Sequence, residues 1–183
     1  MTRFRVPRLV AERTDSLEFF LRVGWIADGL GLLRDGLLVC VLLALAWADV
    51  RRGVLPNVCV LPAGAAGLVL SAASDPERWW VYPASAVGVG AGLLVIAVFY
   101  QRGLGMGDVK MGAMMGAFLG PYAFLAVFFG AVLGMLVAGA LIGLRRIGTR
   151  TPVPFGAFMA AGGAATLICG PEAYGWYVEL AFG

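Results

Sequence analysis

Two aspartates, Asp49 and Asp108, stand in a sequence otherwise built to sit in lipid. A charged side chain inside a bilayer costs at least a few kcal/mol, so an intramembrane acid calls for a functional reason. Asp108 belongs to the stretch Gly105-Met106-Gly107-Asp108-Val109-Lys110, and Asp49 closes an apolar run. Gly105 and Gly107 remove side chains from the approach to Asp108 and permit backbone angles closed to other residues, so a polypeptide substrate can come close. Histidine is absent. That excludes HExxH metalloprotease chemistry, a Ser-His dyad and Cys-His nucleophilic catalysis. Cys40, Cys59 and Cys169 are isolated within apolar runs, with no CxxC pair, and read as small buried hydrophobes rather than metal ligands. Carboxylates remain.

Two carboxylates brought within a few ångström cannot both ionise cheaply, so they titrate as a coupled pair and share one proton. The ionised member can take a proton from water as the water attacks a peptide carbonyl, while the protonated member hydrogen-bonds to the carbonyl oxygen. This chemistry needs neither a metal nor a nucleophilic side chain, and no cofactor is expected.

The elements that must position the pair are membrane spans. Of the 183 residues, 61% are hydrophobic and 14% charged, with a mean hydropathy of +0.88, far from the roughly 45–50% apolar and about 25% charged of soluble domains. An all-α, polytopic membrane bundle of six spans is expected. The first runs from Gly36 to Ala48 with part of Gly31-Leu32-Leu33, and ends on Asp49. The others are Val58 to Ala73, Trp79 to Tyr100, a short span from about Val109 to Leu119, Tyr122 to Leu144, and Phe155 to Gly170. Residues 1–35 form a separate N-terminal segment before the membrane-embedded domain of residues 36–183. Arg3, Arg5, Arg8 and Arg13 precede Leu17 to Leu33, whose Arg22 and Asp28 favour a helix lying in the interface. No uninterrupted apolar core follows the basic start, so it does not read as a cleavable signal peptide.

Charge placement orients the spans. Arg51, Arg52, Arg102, Lys110, Arg145, Arg146 and Arg150 fall in alternate loops, whereas the intervening loops hold Asp75, Glu77, Glu172, Glu179 and Arg78. The positive-inside rule turns the basic loops to the cytoplasm and puts Asp49 and Asp108 on that same side. Six spans then leave the arginine-rich start outside, a conflict within the rule. Gly112, Gly116 and Gly120, and Gly130, Gly134 and Ala138, repeat at four-residue spacing. Such faces let helices approach closely, within the bundle or in a homodimer.

Each residue also has a plainer reading. Asp49 can be an interfacial acid paired with Arg51 or Arg52. Asp108 can be the N-cap of the fourth span, Lys110 a snorkelling cytoplasmic charge, and Pro154-Phe155-Gly156 an ordinary helix start. The segment from Val50 to Asn57, with its arginine pair and Pro56, reads as a helix end and a short exposed loop.

Taken together the motifs resemble the type IV prepilin peptidases, the aspartic intramembrane peptidase family that includes the archaeal preflagellin peptidases. The matching residues are Asp49 to Asn57 with its Leu55-Pro56, Gly105 to Lys110, and Pro154-Phe155-Gly156-Ala157-Phe158, and the resemblance covers roughly residues 36–170. Gly-x-Gly-Asp alone is shared with presenilin and signal peptide peptidase. Their Tyr-Asp is here Ala48-Asp49, and their Pro-Ala-Leu is absent. The resemblance implies a six-helix catalytic bundle, Asp49 and Asp108 as the catalytic pair, and Gly105, Gly107, Lys110, Pro56, Pro154, Phe155 and Gly156 as residues that bind substrate or shape the site. It implies removal of a short basic leader from prepilins or pseudopilins at the cytoplasmic face of the inner membrane, with lipid and the substrate polypeptide as partners and no nucleic acid. The leader's charge would suit an acidic site. The cytoplasmic insert with two CxxC pairs found in longer members is missing, so zinc is not expected. Longer members also N-methylate the new amino terminus. No methyl-donor fingerprint stands here, and peptidase activity alone is expected.

Two readings of other classes compete. A small proton- or ion-coupled transporter component would relay ions through Asp49 and Asp108, but would spread its acids along a path rather than gather them at one face. A non-catalytic membrane assembly subunit would keep the fold without needing both acids.

Overall fold

Beyond its first turn, which carries Asp108 and Lys110, the helix Met106–Leu119 is apolar all round, and a helix apolar on every face belongs in the middle of a bundle. In the computed structural model, which describes residues 29–99, 104–146, 148 and 154–182, that helix is the centre. Six α-helices are described: α1 Gly29–Arg52, α2 Asn57–Ser74, α3 Val81–Phe99, α4 Met106–Leu119, α5 Ala123–Gly143 and α6 Phe155–Phe182. Single 3₁₀ turns at Pro76–Arg78 and Gly120–Tyr122 join α2 to α3 and α4 to α5. The protein is an all-α, multi-pass membrane protein. Helices α1, α2 and α3 are each long and apolar enough to cross a bilayer, and Met106–Gly143 is a continuous apolar stretch of 38 residues, close to what two passes of about 20 residues need.

Helix α4 packs chiefly against α3 and α2, while α5 pairs with α6 and α1 with α6 and α2. Its Met111, Met114, Met115 and Phe118 are all at most 2% exposed. The unbranched methionines fill the irregular gaps between helices. The outer faces carry Leu43, Val69, Val87 and Phe128, all exposed, as lipid-facing surfaces should be.

The contacts define the direction of every helix. Gly112 and Gly116 meet Leu93 and Ala86, and Gly120 meets Tyr82, so α3 and α4 run antiparallel. Gly64 meets Met114 and Gly67 meets Phe118, so α2 runs parallel to α4. Gly134 meets Phe158 and Gly162 meets Ala126, so α5 and α6 are antiparallel. Gly163 meets Leu42, while Ala157 meets Asp49, which sets α6 against α1. The N-termini of α2, α4 and α6 therefore gather at one end of the bundle with the C-termini of α1, α3 and α5.

The first span is longer than expected. It begins at Gly29 and continues past Asp49 to Arg52, taking in Arg34 and Asp35. Those charges are accommodated because the Arg34 Nε donates to Asp35 Oδ1 at 2.8 Å, and Tyr82 on α3 lies near Arg34. Paired, they no longer break the span. The expected interfacial helix falls largely on residues 1–28, outside the described residues, as do Arg102 and Arg150. The last helix likewise runs to Phe182 rather than Gly170.

The small-residue faces serve packing within the chain. A Cβ on Gly116 would lie 2.6 Å from the Ala86 backbone, and one on Gly130 would lie 2.8 Å from Met159 Cα. Gly116→Ala is therefore expected to lower stability by about 1–3 kcal/mol although alanine favours helices, because the backbone of α3 must move. Gly139→Ala, which meets nothing within 4 Å, should be neutral. Thermal unfolding of the two detergent-solubilised variants checks this, and equal melting temperatures would refute it.

Candidate active site

The buried stripe of α1, Gly31, Arg34, Leu38, Leu42, Leu45 and Asp49, recurs every three or four residues and ends on the aspartate. Asp49 is thus carried into the bundle by the helix face that buries the leucines, and only 7% of it is exposed. It is not an interfacial acid paired with an arginine. Its Oδ2 accepts a hydrogen bond from the Ala157 N–H at 3.1 Å, while Arg51 stacks over Trp47, 5.0 Å from the ring centroid. Ala157 is the third residue of α6, so its N–H is one of those left without a partner within the helix, and the helix dipole also favours an anion there.

Gly156 makes the contact possible. A Cβ at that position would lie 2.9 Å from Asp49 Oδ2 and 3.2 Å from its Cγ. Pro154 precedes the helix, and Phe155, its first residue, packs against the apolar core. Pro154-Phe155-Gly156 is a helix start, as the plainer reading had it, and it is also the wall against which the first carboxylate rests.

Asp108 sits in the first turn of α4 as its third residue, and the N-cap is Gly105, with φ −81° and ψ 152°. The Gly105 N–H donates to Asp108 Oδ2 at 3.1 Å, and the Asp108 N–H donates to the Gly105 carbonyl at 3.0 Å. Asp108 is therefore the acid that reaches back to the cap rather than the cap itself. Without a side chain at Gly105, a carboxylate can fold against the backbone. The Asp49 carboxylate lies close enough to that of Asp108 to act on it electrostatically. Each aspartate thus has one oxygen held by a backbone N–H, and both stand at the same end of the bundle.

The loop after Asp49 is not simply exposed. Helix α1 is closed by Gly53, whose φ of +61° only glycine adopts freely, and whose N–H donates to the Asp49 carbonyl at 2.8 Å. Pro56 opens α2 in an extended conformation, its carbonyl accepting from the N–H groups of Cys59 and Val60. Between them Leu55 turns inward and is 7% exposed. A Cβ on Gly107 would come within 3.0 Å of the Leu55 Cβ. Lys110 does more than snorkel, since its Nζ donates to Asn57 Oδ1 at 3.0 Å, tying α4 to the start of α2.

Asp49, Asp108, Gly105, Gly107, Lys110, Pro56, Phe155 and Gly156 are thus brought to one end. Sequence reasoning placed Asn57, Ala157 and Leu55 within the matching motifs but gave Asn57 and Ala157 no role and did not foresee the burial of Leu55. A leucine in an otherwise basic, exposed loop was the available signal for the last. The expectation of an acidic site is met only by the pair itself. Among the described residues at this end, the other charges are Arg51, Arg52, Lys110, Arg145 and Arg146. Among the described residues no group of three or more His, Cys, Asp or Glu could hold a metal ion.

The type IV leader peptidase family matches residues 36–144, a range that contains both aspartates, whereas Pro154, Phe155 and Gly156 lie beyond it. The chain is 32% identical over 152 residues to the prepilin leader peptidase/N-methyltransferase of Bacillus subtilis (strain 168), covering 79% of this chain and 59% of that protein. It is 37% identical over 153 residues to the protein of the same name from Burkholderia pseudomallei (strain K96243), covering 75% and 46%. With that of Stutzerimonas stutzeri it shares 30% identity over 170 residues, covering 86% and 55%. The chain spans about half the length of the curated relatives it matches. No solved structure matches it. With more than half of its residues within the family match, the chain belongs to the type IV leader peptidase family.

Proposed function

We propose that this chain is an intramembrane aspartic endopeptidase that removes the short basic leader from type IV prepilins or pseudopilins, with water activated between Asp49 and Asp108. The observation that carries the reading is that two aspartates from separate helices stand at the same end of the bundle, each with one carboxylate oxygen held by a backbone N–H. One carboxylate takes a proton from water, and the resulting hydroxide attacks the scissile carbonyl carbon. The protonated partner hydrogen-bonds to the carbonyl oxygen as negative charge develops there. Collapse of the tetrahedral intermediate breaks the C–N bond, and the departing nitrogen takes up a proton.

The basic residues Arg51, Arg52, Lys110, Arg145 and Arg146 at the same end support a cytoplasmic active site in the inner membrane. Gly105 and Met106 are exposed at the rim, so an extended peptide can approach Asp108 while its own apolar helix stays in the lipid. A transporter is less well supported. Among the described residues the core next to the pair is Leu42, Leu45, Met111 and Met115, and the buried polar residues Arg34, Ser71 and Ser85 belong to the other end of the bundle, so the acids are not spread along a path. The proposal covers the peptidase half of the relatives' names only.

The test is co-expression with substrates that join a short basic leader to an apolar helix, in cells lacking their own such peptidase. The expected result is a mobility shift, with a new amino terminus just before the apolar segment. No cleavage of any of several such substrates by well-expressed protein would overturn the proposal.

A further inference from the structure

The two aspartates are separated by 59 residues of chain, and the geometry between them depends on how the first turns of α4 and α6 are spaced. One side chain lies in that space. Leu55 is buried although its neighbours Gly53 and Val54 are exposed. Its Cβ lies 3.0 Å from where a Cβ would sit on Gly107, and its Cδ1 lies 3.2 Å from the corresponding point on Gly156. Gly107 directly precedes Asp108. Gly156 directly precedes Ala157, whose N–H holds Asp49. One isobutyl group therefore touches both helix starts, the one that bears Asp108 and the one that grips Asp49. Its loop is fastened on both sides, by the Gly53 N–H to the Asp49 carbonyl and by the Lys110 Nζ to Asn57 Oδ1.

We propose that Leu55 is a positioning residue, a spacer between Gly107 and Gly156 that sets the separation of the Asp49 and Asp108 carboxylates. Glycine on both sides explains why the spacer fits, since any side chain at either position would displace it. Interiors are close-packed and do not yield continuously, so a filled gap defines one separation and an emptied gap allows several. The inference rests on the two-aspartate reading of the site for its effect on catalysis, but not for its effect on geometry, and the two are measured separately.

The geometric arm places cysteines at 49 and 108 in a full-length chain whose Cys40, Cys59 and Cys169 are replaced by serine, and compares cross-linking in membranes by a short and a long bis-maleimide. Leu55→Ala should shift the ratio of short to long cross-links by about fivefold or more, because effective concentration depends steeply on span. Leu55→Met, which keeps the volume, should restore the ratio. Val89→Ala, a truncation of another buried residue at 3% exposure, should leave it unchanged. In the kinetic arm, Leu55→Ala should lower kcat by about 10- to 100-fold with little change in KM, the cost of misplacing reacting groups by an ångström or less, and Leu55→Met should recover it. An unchanged cross-linking ratio in Leu55→Ala overturns the inference, and so does an equal change in Val89→Ala. If the wild type cleaves nothing, the peptidase reading falls, and the cross-linking arm still decides whether Leu55 spaces the two positions.

Discussion

Asp49→Asn and Asp108→Asn are each expected to reduce leader cleavage by about 10³-fold or more while reaching wild-type levels in the membrane. The size follows from the loss of positioned acid–base catalysis, worth about 10²–10⁴-fold per group. The structure explains why folding should survive. An amide is nearly isosteric with a carboxylate, and its carbonyl oxygen can still accept from the Ala157 N–H at position 49 or from the Gly105 N–H at position 108. What it cannot do is take a proton from water. On the proposed mechanism the pair acts as a unit, so the double variant should be scarcely worse than either single one. The measurement is single-turnover cleavage of a prepilin-type substrate, normalised to membrane protein. Normal cleavage by either single variant would sink the mechanism, and full additivity in the double variant would mean that the two act independently.

The second large effect is expected at a residue that carries no functional group. Gly156→Ala places a Cβ 2.9 Å from Asp49 Oδ2 and 3.2 Å from its Cγ, a distance that real contacts do not show. The nearest atom is the end of a side chain, so the clash can be relieved by swinging the carboxylate away, at little cost to the fold. That motion breaks the hydrogen bond from Ala157 and takes Asp49 out of register with Asp108. Activity should fall by about 10²-fold with a melting temperature close to wild type. Gly116→Ala should show the reverse, since its Cβ meets the backbone of Ala86 at 2.6 Å: stability lost, and activity retained per folded molecule. A Gly156→Ala protein with wild-type kcat would show that Asp49 does not need the start of α6.

Much of the architecture was legible from residues 29 onwards. The six helices follow the apolar runs, and the loops rich in arginine share one end, because spans of fixed length must alternate in direction. Boundaries drifted where charges were read as breaks. Arg34 and Asp35 continue α1 because they pair with each other, so the charges do not break the span. Asp49 looked like the end of a helix, yet it is the last member of a buried stripe with Leu38, Leu42 and Leu45, a stripe hidden in the sequence by equally apolar neighbours.

By itself the sequence determined the class of the protein, the order of the helices among the described residues, and the chemistry open to it, because a chain without histidine and with two acids beside apolar runs leaves carboxylate catalysis in hand. Tertiary structure alone decided that α4 is the central helix, that an amide 108 residues away holds Asp49, and that Leu55 lies between the two helix starts. The physical reason is the solvent. In lipid the outside of a helix is as apolar as its inside, so hydropathy carries no period that distinguishes the packed face from the exposed one. Which faces meet is settled by close packing of small residues and by single hydrogen bonds, and both depend on distances between helices rather than on the composition of any one of them.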